Sequence, residues 1–129
     1  MFQNILIIDD SETSRMIIKK CLIISGMEKS MFYEAEDGIK ALTFLGNQTV
    51  DLVVTDLNMP RMDGLTLIKK LKMSPRFQDL PVVVISSLGS DQLEKDLMAL
   101  QVLGVIKKPL TPMKMQSVFS TKELNDDSF

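Results

Sequence analysis

Residues 51–64 read DLVVTDLNMPRMDG, and the way this stretch folds decides the rest. Leu52, Val53, Val54 and Thr55 form a short apolar run rich in β-branched residues. Such a run fits a strand buried on both faces, as in a parallel sheet. It ends on a carboxylate, Asp56. A loop follows with Met59-Pro60 and Asp63-Gly64, and a helical pattern starts at Leu65. Asp56 is thereby placed at the carboxyl end of a central strand, the edge at which open α/β sheets bind their ligands. A single Asp in such a position more often only starts a turn, so the flanking chain has to decide its role.

Working outward, the same unit recurs. Before the stretch, Ile5-Leu6-Ile7-Ile8 reads as a strand ending on Asp9-Asp10, with Ser11 or Asp10 available to cap the next helix. That helix carries Met16, Ile17, Cys21 and Ile24 at helical spacing and stops near Gly26. A weaker strand is expected at Met31-Phe32-Tyr33, and Asp37-Gly38 leads into a helix with Ile39, Leu42 and Leu45. After the stretch come a helix with Leu65, Ile68 and Leu71, a strand Val82–Ile85 ending on Ser86-Ser87, and a helix capped by Ser90 with Leu93, Leu97 and Leu100. A short strand Val105-Ile106 runs into Lys107-Lys108-Pro109. Thr111-Pro112 then starts a helix with Met115, Val118 and Phe119, because proline at the first helical position loses no bond the helix needs. Strand followed by helix, five times over, implies a parallel sheet with helices on both faces.

Composition narrows the function classes. The 129 residues suit one domain with a single core, and 45% apolar with 25% charged residues describes a globular chain. A net charge of −2 without a basic block argues against direct nucleic-acid binding. No apolar run approaches the roughly 18 residues of a membrane span, and no secretory leader is visible. The single cysteine, Cys21, excludes an internal disulfide and fits a reducing cytoplasm, with core filler as its expected role. Histidine is absent, which removes histidine-dependent triads and any phosphohistidine made on this chain. The ten methionines fit irregular core filler better than a binding surface.

The strand ends together present Asp9 and Asp10, Asp56, Ser86 and Ser87, and Lys108. With strand order 2-1-3-4-5, the connections reverse direction between the first and third strands, so the three carboxylates flank the crevice opened there. Packed carboxylates repel one another. A hard divalent cation relieves this, since Mg2+ takes one or two carboxylates and accepts phosphate oxygens in its remaining positions. A carboxylate beside such an ion can attack phosphorus and give an aspartyl phosphate. Lys108 supplies charge for the phosphoryl oxygens, Ser86 a hydroxyl, and loop amides the rest. Taken singly, the Asp pair reads as helix capping, the Lys pair as a solvated strand exit and the Ser pair as a loop start. Their joint placement at successive strand ends carries the functional reading.

IIDDSE, DLNMPRMDG, PVVVISS and KKPLT, in this order and spacing, resemble the receiver domains of two-component response regulators, and among them the single-domain chemotaxis regulators. The resemblance covers nearly the whole chain. It implies a flavodoxin-like (βα)5 fold, a receiver over residues 1–124 and a short acidic tail over 125–129. It makes Asp56 the phosphoacceptor and a metal ligand, Asp10 a direct ligand of Mg2+ (or Mn2+), Asp9 a ligand largely through water, and Asn58 a ligand through its backbone carbonyl. Lys108 would pair with the phosphoryl group, Ser86 would be the switch hydroxyl, and Asn58 and Ser87 would contact the phosphoryl group. The Lys108-Pro109 bond is expected to be cis. Val105 departs from the family, which often has an aromatic residue there. Asn58 and Leu88 stand at the two positions that tune hydrolysis in the family, and the apolar Leu88 implies slow self-dephosphorylation.

The expected function is a phosphorylation-activated signalling switch in the cytoplasm, charged by a histidine kinase or a phosphotransfer protein. Its output partner is expected on the face of the fourth helix, fifth strand and fifth helix, with the loop from Ser86 to Ser90 carrying most of the change. Neither nucleic acid nor membrane is an expected partner. A phosphate sink or relay, or a receiver belonging to a larger regulator, is the alternative. A haloacid-dehalogenase-like phosphatase also uses an Asp nucleophile and Mg2+, but it needs a second acid two residues on, where this chain has Asn58.

Overall fold

The structure is a computed structural model that describes residues 2–87 and 91–127, with side-chain surroundings as far as residue 120. Leu88, Gly89 and Ser90, on which the helix cap, the hydrolysis-tuning position and much of the switch loop were placed, lie outside the described residues. Strands β1 (Asn4–Ile8), β2 (Met31–Ala35), β3 (Leu52–Asp56), β4 (Val82–Ser86) and β5 (Gly104–Lys107) alternate with helices α1 (Glu12–Leu22), α2 (Gly38–Asn47), α3 (Gly64–Lys72), α4 (Asp91–Ala99) and α5 (Pro112–Asp127). The strands form one parallel sheet in the order β2-β1-β3-β4-β5, as the reversal argument requires.

Alternation along the strands explains the two-sided burial. In β1, Ile5 and Ile7 face α1 and α5, together with Ile18, Cys21, Leu22, Met115 and Phe119. Leu6 and Ile8 face the other way, into a cluster with Ala41, Leu45, Leu67, Ile68 and Leu97 from α2, α3 and α4. Every residue of β3 and β4 is buried, so these central strands are apolar on both faces and their sequences show no alternation. β2 is an edge strand with Met31 59% exposed, which accounts for its weak signal in the sequence. Asp51, the first residue of the quoted stretch, accepts the backbone amides of Gln3 and Asn4 at 2.9 Å each and so ties the start of β1 to the start of β3.

The helix starts follow the capping residues. Ser11 accepts the Ser14 amide at 3.2 Å, Asp37 the Lys40 amide at 2.8 Å, Asp63 the Thr66 amide at 2.8 Å and Thr111 the Lys114 amide at 3.2 Å. Two expectations change. The inward stripe of α1 is Ile18, Cys21 and Leu22, whereas Met16, Ile17 and Ile24 are exposed. Apolar residues occupy adjacent positions around this helix, so both stripes have helical spacing and only the angle of approach to the sheet chooses between them. Past Leu22 the helix widens into a π-type turn over Ile23–Met27, in which Gly26 takes a φ of 103°, a backbone state open to glycine. α5 also continues to Asp127, into the stretch read as a tail, since extending a helix costs less than nucleating one. Among the described residues no helix is long and apolar enough to cross a membrane.

Candidate functional site

The carboxyl ends of β1, β3, β4 and β5 meet at one rim. Asp9 directly follows β1, Asp56 ends β3, Ser86 ends β4, and Lys108 directly follows β5. The rim is held by the backbone: the Lys108 amide donates to Ser86 O at 2.8 Å, and the Leu57 amide to Ile85 O at 3.3 Å. The Lys108-Pro109 bond is cis.

Asp9, Asp10 and Asp56 converge as the sequence implied. One carboxylate oxygen from each lies within 4.8 Å of the others. Asp9 is 2% exposed and Asp56 3% exposed, whereas Asp10 faces solvent. The Asp56 Oδ1 oxygen accepts the Leu57 amide at 2.9 Å and stands 3.5 Å from Lys108 Nζ. The Asp9 Oδ1 oxygen accepts the Ser11 amide at 2.9 Å. Its Oδ2 is buried with no hydrogen-bond partner. A buried carboxylate oxygen without a donor is costly, and a cation held by Asp9 and its two acidic neighbours would relieve that cost. The donor set is oxygen only, which suits Mg2+ or Mn2+.

Burial pushes the Asp9 carboxyl above the ordinary carboxylate range. The charges of Asp56 and Asp10 act in the same direction, while the Ser11 amide and Lys108 oppose it. Ser86 is buried at the rim and Ser87 is exposed beside it. Asn58 is exposed, with its Nδ2 3.5 Å from Ser87 Oγ, at the outer limit of a hydrogen bond. Val105 is half-buried against the α2-α3-α4 cluster. Burial raises the Cys21 thiol above its usual range, consistent with core filler rather than a nucleophile.

Three residues that shape the rim were not singled out in the sequence. Gly64 lies so close beneath the site that a Cβ there would stand 2.4 Å from Asp56 O and 2.9 Å from Leu57 Cα. Arg61, in the loop after Asp56, takes a φ of 69° and reaches buried Asp37 at 3.6 Å. Arg15 donates to the main-chain carbonyl of Asp9 at 2.7 Å. Gly64 sits in the quoted Asp-Gly pair, so its signal was visible. The two arginines make contacts that no local spacing encodes.

Comparison with known proteins agrees with this fold. A family model described as the response regulator receiver domain matches residues 5–120. Chemotaxis protein CheY1 of Helicobacter pylori is 36% identical over 125 residues, covering 93% of this chain and 99% of that protein. Among solved structures, the chemotaxis response regulator CheY4 of Vibrio cholerae superposes with a TM-score of 0.77 at 24% identity, over 95% of this chain and 98% of that one. The Mn2+-bound form of response regulator Rcp1 superposes with a TM-score of 0.78 at 23% identity, over 92% of each chain. These two structural likenesses speak for the fold.

Proposed function

The chain belongs to the receiver domains of two-component signalling and is CheY-like, and from that membership we propose that it is a phosphorylation-activated switch with Asp56 as the phosphoacceptor. The observation that carries the proposal is the buried, partnerless Oδ2 of Asp9 next to Asp56, with Lys108 across the rim. Asp9, Asp10 and Asp56 would hold a divalent cation, Mg2+ or Mn2+, and the Asn58 carbonyl would be a further ligand. The ion, when bound, screens the charges of the carboxylates and of the incoming phosphoryl oxygens. A carboxylate oxygen of Asp56 bonds to phosphorus as the bond from phosphorus to the donor's histidine nitrogen breaks, and that nitrogen keeps the electron pair. The Lys108 ammonium and loop amides stabilise the charge on the transferring oxygens, and the Ser86 hydroxyl hydrogen-bonds to the phosphoryl group afterwards.

The donor is a histidine kinase or a phosphotransfer protein, since this chain has no histidine. Phosphorylation then shifts the population between two forms that differ in affinity for an output partner. Against the expectation of core filler, Met16, Met31, Met73, Met98 of α4 and Met113 of α5 are exposed; exposed methionines adapt to a bound chain, which supports the α4, β5 and α5 face for that partner. Membership of this family displaces the phosphatase alternative. The test is incubation with acetyl phosphate and Mg2+, borohydride trapping and peptide mass spectrometry. Modification at Asp56 that disappears in excess EDTA is expected; modification elsewhere, or labelling unaffected by EDTA, refutes the reading.

A further inference from the structure

Asp9 is restrained from three sides. Its amide donates to Ala35 O of β2 at 3.1 Å. Its side-chain Oδ1 is taken by the Ser11 amide at 2.9 Å. Its main-chain carbonyl is taken by Arg15 Nη1 at 2.7 Å. The same guanidinium donates through Nε to Glu34 Oε1, also at 2.7 Å, and Glu34 precedes Ala35 on β2. The Arg15 side chain is only 15% exposed, so it is packed in place. One planar group thus spans from the edge strand to the peptide immediately after β1, and the only polar atom of Asp9 left without a partner is Oδ2.

We propose that Arg15 is a positioning residue: its fork between Glu34 and the Asp9 carbonyl fixes the backbone of Asp9 so that its carboxylate is held ready for the divalent cation. The proposal rests on the metal-binding reading given above, and it goes beyond it by assigning a role to a residue that touches neither metal nor phosphoryl group. Groups that orient a metal ligand typically change affinity by about 10- to 100-fold when removed. A guanidinium fork suits this role, because its planar donors have fixed directions, whereas a lysine ammonium is a shorter, freely rotating point charge.

Charge alone predicts the opposite outcome. Arg15 and Glu34 form a neutral pair. Deleting the arginine leaves Glu34 unpaired beside the site, which by Coulomb attraction would tighten binding of a divalent cation. Positioning predicts weaker binding, so the sign of the change decides between the two.

The experiment measures Mg2+ and Mn2+ binding by calorimetry for wild type, Arg15→Met and Arg15→Lys, with thermal unfolding in EDTA recorded alongside. Both variants are expected to bind about tenfold more weakly, and saturating Mg2+ is expected to restore Asp56 labelling by acetyl phosphate to near the wild-type rate. Unchanged or tighter binding in a folded variant overturns the proposal, including the case in which only the unfolding temperature falls. Arg15→Lys serves if Arg15→Met does not fold. Failure of wild type itself to bind Mg2+ refutes the metal-binding reading, and this inference with it.

Discussion

Lys108 Nζ stands 3.5 Å from Asp56 Oδ1, the same oxygen that receives the Leu57 amide. The side-chain ammonium therefore faces the charge of Asp56, while the structural bond of Lys108, to Ser86 O, is made by its main chain. Lys108→Gln is expected to keep the folded structure and to slow phosphoryl transfer from acetyl phosphate by about a hundredfold, the usual loss when one donor to a developing oxyanion is removed. A rate close to wild type in the variant would show that the lysine only balances charge.

Asp56→Asn removes one of three converging carboxylates and keeps the side-chain shape and the oxygen that accepts the Leu57 amide. Labelling should vanish. In EDTA the variant should unfold at higher urea than wild type, because one source of mutual repulsion is gone. Added Mg2+ should then stabilise wild type more than the variant. Equal stabilisation of both by Mg2+ would mean that Asp56 takes no part in holding the ion.

The raised pKa of Asp9 has a definite sign in the metal-free protein. Burial disfavours its charged form in the native state, so between the ordinary carboxylate range and the raised value the native state binds more protons than the unfolded one. Stability contributed at this site therefore falls as pH rises through that window, and the full penalty applies above it. Asp9→Asn should be more stable than wild type in EDTA near neutral pH, its amide donating toward the neighbouring carboxylates. That advantage should disappear in acid, where both states of wild type carry the proton. Urea unfolding of the two proteins across this pH range checks it; an advantage independent of pH would point to a cause other than ionisation.

Gly64 is required by space rather than by backbone conformation. Its missing Cβ would fall 2.4 Å from Asp56 O, and the Gly64 amide is bonded to Leu57 O at 2.9 Å, so α3 cannot retreat without pulling on the residue next to Asp56. Gly64→Ala should destabilise by roughly 1–3 kcal/mol and lower the rate of Asp56 labelling even at saturating Mg2+. Loss of stability with an unchanged labelling rate would separate packing from site geometry.

The strand ends were readable because each is a short apolar run stopped by one polar residue, and topology alone brings Asp9, Asp56, Ser86 and Lys108 to one rim. Capping by Ser11 was readable for the same local reason, as were the helix starts at Asp37-Gly38 and Thr111-Pro112, where Asp37 and Thr111 turn out to be the caps. The sequence did not reveal which face of α1 turns inward, since Ile17 and Ile18 are equally apolar neighbours. Nor did it reveal the reach of Arg15 to Glu34 and of Asp51 to Gln3 and Asn4. Those contacts join residues far apart in the chain, and long side chains carry no periodic signature of where their ends bind.

Every helix-to-strand connection returns the chain to the rim opposite the site, across strands of four or five residues, a span of roughly 13–16 Å. The connection between α3 and β4 exposes Pro75 and Arg76 there. A reporter domain or affinity tag inserted between these two residues would stand a strand's length from the chemistry, so the protein offers a place for fusion at which its phosphorylation can be followed.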